Sequence, residues 1–288
     1  MQRAQHLMNA KDYAVNADDI FVLPEAVVKI KQLIDDETAS MYEIAEIINY
    51  DPAIMSQVLK ISNSALYKFP NTITTVSKAI QVIGTRSVYD LVLAYGVANA
   101  FKSLESDVID LERFWERGVS CGLLAKYFAE ELGIKEPERL FVCGLLHNLG
   151  ELVMVKLNPD MARTCAAVHA DTRPLELELN NLGFSYAEIA AELMKLWGLP
   201  VEIYQPIKRI HPSNENALSR EDQILQLSYV LSVNNVFKEF YSSHDDLNSE
   251  AYECLGLDVE QVDNALDFTN LQLISAMSLF SPSSFSMY

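Results

Sequence analysis

The chain has 288 residues, half of them apolar, with 22 basic against 40 acidic side chains and a net charge of −18. That balance argues against a nucleic-acid binder, which needs clustered Lys and Arg on the phosphate backbone, and against docking on an anionic membrane surface. Residues 1–15 lack the apolar core of a secretory signal, and no uninterrupted apolar run approaches the roughly 20 residues of a membrane span. The four cysteines, Cys121, Cys143, Cys165 and Cys254, show no C-x-x-C spacing. Three lie on predicted buried helix faces; they read as small core residues in a reducing compartment, not as disulfides or a zinc cluster, so a soluble cytoplasmic protein is expected.

Periodicity is helical almost throughout, with no alternating strand pattern, and predicts an all-α fold of about a dozen helices. In chain order, Ser40-Met41-Tyr42-Glu43 is a capping box that opens a helix through Ile48. Asp51-Pro52 places a cap residue before a proline at the first helical position. Asn63-Ser64 ends that helix, and Tyr67 is expected to pack as a core aromatic. The polar stretch 102–110 is a seam between two apolar helices. Asp110 opens a helix that ends at Leu132-Gly133, on which Phe114, Gly118, Cys121, Ala125, Phe128 and Leu132 form one apolar stripe. The small residues in its middle invite close helix packing.

Residues 140–155 are a long apolar run, expected to be a buried helix. Before Glu151 its only polar side chains are His147 and Asn148, and a buried polar pair needs partners, because each unpaired group costs roughly 1–3 kcal/mol. Ser185-Tyr186-Ala187-Glu188 is a second capping box, opening a helix that stops at Gly198-Leu199-Pro200. A polar break from His211 to Arg220 precedes another helix, 242–249 is a polar loop, and 258–280 reads as one more amphipathic helix. His211 reads as a surface or helix-end residue; His6, His169 and His244 carry no pattern.

Several of these pieces, in this order, resemble the HDOD family, a branch of the metal-dependent phosphohydrolase (HD) superfamily associated with bacterial signalling. They are Leu23-Pro24, Asp51-Pro52-Ala53, Asn63-Ser64-Ala65-Leu66-Tyr67, Ala79-Ile80 through Ile83-Gly84, Phe114-Trp115, Gly144-Leu145-Leu146-His147 and Trp197-Gly198-Leu199-Pro200. The resemblance implies an HDOD domain over 15–240, with an N-terminal helical lobe (15–105), an HD-phosphohydrolase-like lobe (106–240), and a helical extension (241–288). Hydrolases of the superfamily hold a dication with a His on an early helix, an adjacent His-Asp pair and a later Asp, and use it to activate water.

Carried over residue by residue, that ligand set fails. The first His falls where this chain has Arg117, the pair reads His147-Asn148, and no later Asp is identifiable; 225–236 offers Gln226, Ser228, Asn234 and Asn235. Asn supplies no carboxylate charge, and Arg does not deprotonate, so it cannot ligate a metal. Arg117, Asn148 and His147 are therefore vestigial metal-site positions, with no catalytic residue and no metal expected. Arg117 lies some 60° off the stripe centre, taking about 100° per residue, so it can reach inward. The expectation is that its guanidinium fills the vacated metal position, held by Asn148 and an unnamed carboxylate.

The function expected is a non-catalytic signalling adaptor with a protein partner, a homodimer being left open, and no cofactor. One rival is a phosphohydrolase for a nucleotide or phosphate ester, with a divalent metal on His147 helped by Glu112, Glu116 or Glu151. A second is a nucleotide-binding module without turnover, with Arg117 as the phosphate contact.

Overall fold

The computed structural model describes residues 8–35, 40–67, 69–211, 218–247 and 250–280. His6, the tail 281–288 and most of the break after His211 lie outside the described residues. Among these the chain is helical, with no strand and one isolated bridge, His169 to Thr172.

The N-terminal lobe comprises α2 (Glu25–Asp35), α3 (Met41–Tyr50), α4 (Pro52–Ser62), α5 (Val76–Ile83) and α6 (Thr85–Ala100). Its helix starts follow local rules. The Ser40 hydroxyl accepts the Glu43 N–H while the Glu43 carboxylate accepts the Ser40 N–H, at 3.3 and 2.7 Å. Asp51 accepts the N–H groups of Ala53 and Ile54 at 2.9 and 3.1 Å, which starts α4. At the end of α4, Asn63 does more than stop the helix. Its amide donates to the Ile73 carbonyl and accepts the Ile73 N–H, both at 2.7 Å, and so clamps the segment leading into α5. The Ser64 hydroxyl donates to Ile61 O at 2.7 Å and closes the same turn.

The second lobe is arranged around α7 (Leu111–Glu131), against which α8 (Pro137–Leu146), α14 (Arg220–Val236) and α16 (Val259–Phe280) pack. The predicted stripe faces this core, and the close spacing is set by Gly118 on it and by Gly122, which the stripe did not include. A Cβ on Gly118 would stand 2.6 Å from the Leu145 carbonyl oxygen, and one on Gly122 would stand 2.7 Å from that of Phe141. Helices α9 (Leu149–Leu157), α10 (Pro159–Cys165), α11 (Pro174–Leu182), α12 (Tyr186–Leu196), α13 (Val201–Lys208) and the short α15 (Glu250–Glu253), which touches α14, complete the lobe, and α1 (Ala10–Asp18) docks on α9 and α12. Helix α16 also touches α4 and α6, where the Gln57 amide donates to the Leu279 carbonyl.

The apolar run expected as a single helix is two, α8 and α9, separated by a turn at His147-Asn148. Gly144 meets the backbone of α7 at Gly122, whereas Gly150 meets the backbone of α12 at Tyr186. The turn lets one apolar run serve two different crossings. The stretch Pro137–Leu157 has the length and apolarity of a membrane span, but 89% of its most apolar window is buried inside the protein.

The lobes meet where α6 packs on α8. Tyr67 lies half-buried here, its ring 4.3 Å from Lys126 Nζ. Lys126 pairs with Glu138 at 3.2 Å, and Glu138 accepts the Ser87 hydroxyl at 3.1 Å. Asp90, fully buried on α6, has Arg86 Nε at 3.5 Å, within ion-pair range, yet neither carboxylate oxygen receives a hydrogen bond among the described residues. Burial pushes its carboxyl up to about 7, against the opposing pull of Arg86. The folded chain therefore keeps a proton that the unfolded chain releases near pH 4, so stability falls as pH rises from about 4 to 7. At about 1.4 kcal/mol per pKa unit the loss is on the order of 4 kcal/mol. Asp90→Asn is expected to abolish this slope and to be the more stable protein at pH 8. Urea unfolding of both proteins at pH 5 and pH 8 checks it; parallel pH profiles would refute it.

Candidate functional site

The turn between α8 and α9 places His147 and Asn148 against the first half of α7. His147 is buried, and its Nδ1 lies 2.6 Å from the Gly144 carbonyl, an acceptor, so Nδ1 carries the proton and donates. Its Nε2 has no hydrogen-bond partner among the described residues. Burial, with Arg117 and His211 adding to it, pushes the imidazole down to about 3, so it is neutral at any ordinary pH.

Arg117 projects from α7 into the same space and is buried. Its guanidinium pairs with the Glu151 carboxylate, itself buried on the first turn of α9. Burial alone pulls the guanidinium down, but Glu151 beside it holds it above its ordinary value. Glu151 is thus the carboxylate that the sequence left unnamed. Asn148 is not the second holder: its amide donates to the Phe114 carbonyl at 3.3 Å and its Oδ1 has no partner among the described residues. The reason is position, since Asn148 lies under Gly118, one helix turn from the Phe114 carbonyl, and spends its donor there. Neither Glu112 nor Glu116 lines the cavities at this site; of the three carboxylates considered, only Glu151 does.

Three further groups complete the site. Glu178 on α11 is buried, and one carboxylate oxygen accepts the Tyr186 N–H at 2.7 Å, at the start of α12. Burial pushes its carboxyl up to about 8, although the Tyr186 N–H and Arg117 both pull the other way. Tyr229 on α14 stands edge-on between two imidazoles, 5.5 Å from His147 and 4.5 Å from His211. His211, three residues past the end of α13, is the helix-end residue expected but half-buried rather than on the surface: burial, with Arg117, pushes its imidazole down to about 3, and its Nδ1 has no partner among the described residues. Gln226 holds that corner by donating to the carbonyls of Arg209 and His211.

These residues enclose two spaces. The inner one, bordered by Arg117, His147, Asn148, Glu178, His211 and Tyr229, is about 10 Å³, room for about one water. The outer one is a cavity of about 170 Å³ that opens beside the start of α7 and reaches Arg117, Glu151, Glu178 and Tyr186. The catalytic dication of the superfamily does not fit here. No three ligating side chains among the described residues stand close enough to share an ion. The lone pair of His147 Nε2 faces a space that also holds a permanent cation, Arg117, which would repel a dication.

Sequence reasoning missed Glu178, Tyr186 and Tyr229. Glu151 alone left a signal, as the only Asp, Glu, Lys or Arg within 140–155. The motif residues Asp51, Pro52, Asn63, Ser64 and Tyr67 do not reach the site; they fix the N-terminal lobe and its seam with α7 and α8.

Solved structures share the fold. A protein from Shewanella amazonensis SB2B provisionally named a phosphohydrolase matches with a TM-score of 0.70 at 23% identity, over 94% of this chain and 97% of that one. A protein from Marinobacter aquaeolei VT8 provisionally named a signal transduction protein matches with a TM-score of 0.70 at 22% identity, over 98% of this chain and 62% of that one. An HDOD domain protein of unknown function from Geobacter sulfurreducens matches with a TM-score of 0.72 at 19% identity, over 94% and 97%. In sequence, an uncharacterized protein from Treponema pallidum (strain Nichols) is 27% identical over 205 residues, 70% of this chain but only 39% of that relative's length. The family model for the HDOD domain matches residues 20–213, so the chain belongs to the HDOD family.

Proposed function

We propose that this HDOD chain is a non-catalytic signal-transduction adaptor that works through a protein partner. One observation supports the reading: Arg117, at the position where the resemblance puts the first metal-binding His, is buried in an ion pair with Glu151. A fixed cation neutralised by its own carboxylate leaves neither an open coordination position nor a polarised water, the two things metal-assisted hydrolysis requires. The signalling name of the Marinobacter protein agrees with this role, and the phosphohydrolase name of the Shewanella protein belongs to the rival reading. The nucleotide-binding reading is weakened at the same atoms, because a phosphate approaching Arg117 meets the Glu151 carboxylate already paired with it.

The test is metal content by elemental mass spectrometry, on protein purified without chelator and after incubation with Mn²⁺, Fe²⁺ and Mg²⁺. No stoichiometric metal and no hydrolysis of bis(p-nitrophenyl) phosphate are expected. A stoichiometric metal that disappears in His147→Ala would overturn the adaptor reading in favour of the hydrolase.

A further inference from the structure

The outer cavity has a charge imbalance at its floor. Two buried carboxyl groups, Glu151 and Glu178, share one guanidinium, and Arg117 is committed to Glu151. No basic side chain among the described residues forms an ion pair with Glu178. At the rim, Arg113 is tied to Glu239 at 2.6 Å, and Asp110 adds a further negative charge. Acidic side chains are seldom buried without a cation, because the desolvation is costly. Capping α12 accounts for one Glu178 oxygen; the other receives no hydrogen bond among the described residues, and the carboxyl borders the cavity. The Tyr186 side chain lines the same cavity; its hydroxyl is buried, interacts with the Cys165 thiol, and makes no oxygen or nitrogen hydrogen bond among the described residues. The upper walls are apolar, formed by Val108, Phe114, Val168 and Phe237.

We propose that this cavity binds a small organic cation, a primary ammonium on a short apolar body. The ammonium donates to the free oxygen of Glu178 and to the Tyr186 hydroxyl, and the body lies against Phe114 and Val168. Burial leaves the Glu178 carboxyl protonated at neutral pH; the ammonium takes the place of that proton, which goes to solvent, and the pair becomes a charge-assisted bond. An anion of the same size would face Glu151 and Asp110, and a neutral ligand would leave Glu178 in its protonated form. Such a ligand would give the adaptor an input, read out through the packing of α7, α11 and α12 around it. The inference rests on Arg117 being locked to Glu151, since a free Arg117 would itself neutralise Glu178.

Calorimetric titration of the full chain with hexylammonium, hexanamide and hexanoate separates the head groups while keeping one tail. Hexylammonium is expected to bind at a single saturable site, at least about ten-fold tighter than either of the others. Glu178→Gln should weaken it by a similar factor with the helical circular-dichroism spectrum retained, and Val168→Trp, which fills the mouth, should abolish it. No saturable binding, hexanoate binding as well as hexylammonium, or unchanged affinity in Glu178→Gln would each overturn the proposal. Metal content measured on the same preparation separates the two readings. A metal-free protein that ignores hexylammonium removes only this inference, whereas a stoichiometric metal removes both.

Discussion

Arg117→Met is expected to destabilise the protein by about 3–5 kcal/mol, because it leaves the Glu151 carboxylate buried with no counter-charge. The double variant Arg117→Met/Glu151→Leu should recover most of that loss, and could equal the parent. The asymmetry follows from desolvation. A buried ion pair gains little over apolar side chains of similar volume, yet breaking it strands a charge. The measurement is the free energy of urea unfolding for the parent, both single variants and the double, read as a double-mutant cycle. A single variant that costs less than about 1 kcal/mol would mean that Glu151 finds water or protons easily, and the pair would then not be what fills the metal position. If the double variant is as stable as the parent, selection for the pair comes from something other than stability.

Gly150→Ala should be comparably severe, with a loss of about 3 kcal/mol or more, or failure to fold. A Cβ at Gly150 would lie 2.1 Å from the Tyr186 carbonyl oxygen and 2.8 Å from the Ile189 Cβ. Both obstacles are on α12, one in its backbone and one at a branch point next to it, so no rotamer change relieves them, and overpacking by one methyl already costs about 1–3 kcal/mol in softer surroundings. The damage would also spread to function, since Tyr186 N–H is the donor to Glu178 and its hydroxyl lies in the cavity floor. Gly183→Ala is a contrast from the same lobe: its positive φ strains the backbone, but a Cβ there meets nothing within 4 Å. Thermal unfolding of Gly150→Ala within a degree or two of the parent would refute the argument.

The helix starts were legible because they are written in a few adjacent residues. Ser40 with Glu43, Asp51 with Pro52, and Ser185 with Glu188 each satisfy their own orphan N–H groups, and tertiary context had nothing to add. The α7 stripe was legible for a related reason, since period and residue size state the contact face directly. The site was legible only in part. Arg117 and His147 could be placed by the resemblance, and Glu151 could be suspected from its position in an apolar run. Glu178 sits in Leu175-Glu176-Leu177-Glu178-Leu179, where alternation hides which acidic side chain turns inward. The depth of His211 depends on Tyr229, which is 18 positions further along the chain. A break at His147-Asn148 was likewise invisible, because what demands it is the separate positions of α7 and α12, and local propensity carries no record of those.

Gln57 and Leu279 are 222 positions apart, and they join the first lobe to the final described helix. During synthesis, α7 emerges early with faces meant for α8, α14 and α16, and the last of these is made more than a hundred residues later. Helix α7 therefore waits, apolar side out, for α16. A nascent chain of this layout has a long interval in which hydrophobic surface is available to chaperones or to aggregation, and its folding speed is set by the closing of that widest loop more than by any of its well-capped helices.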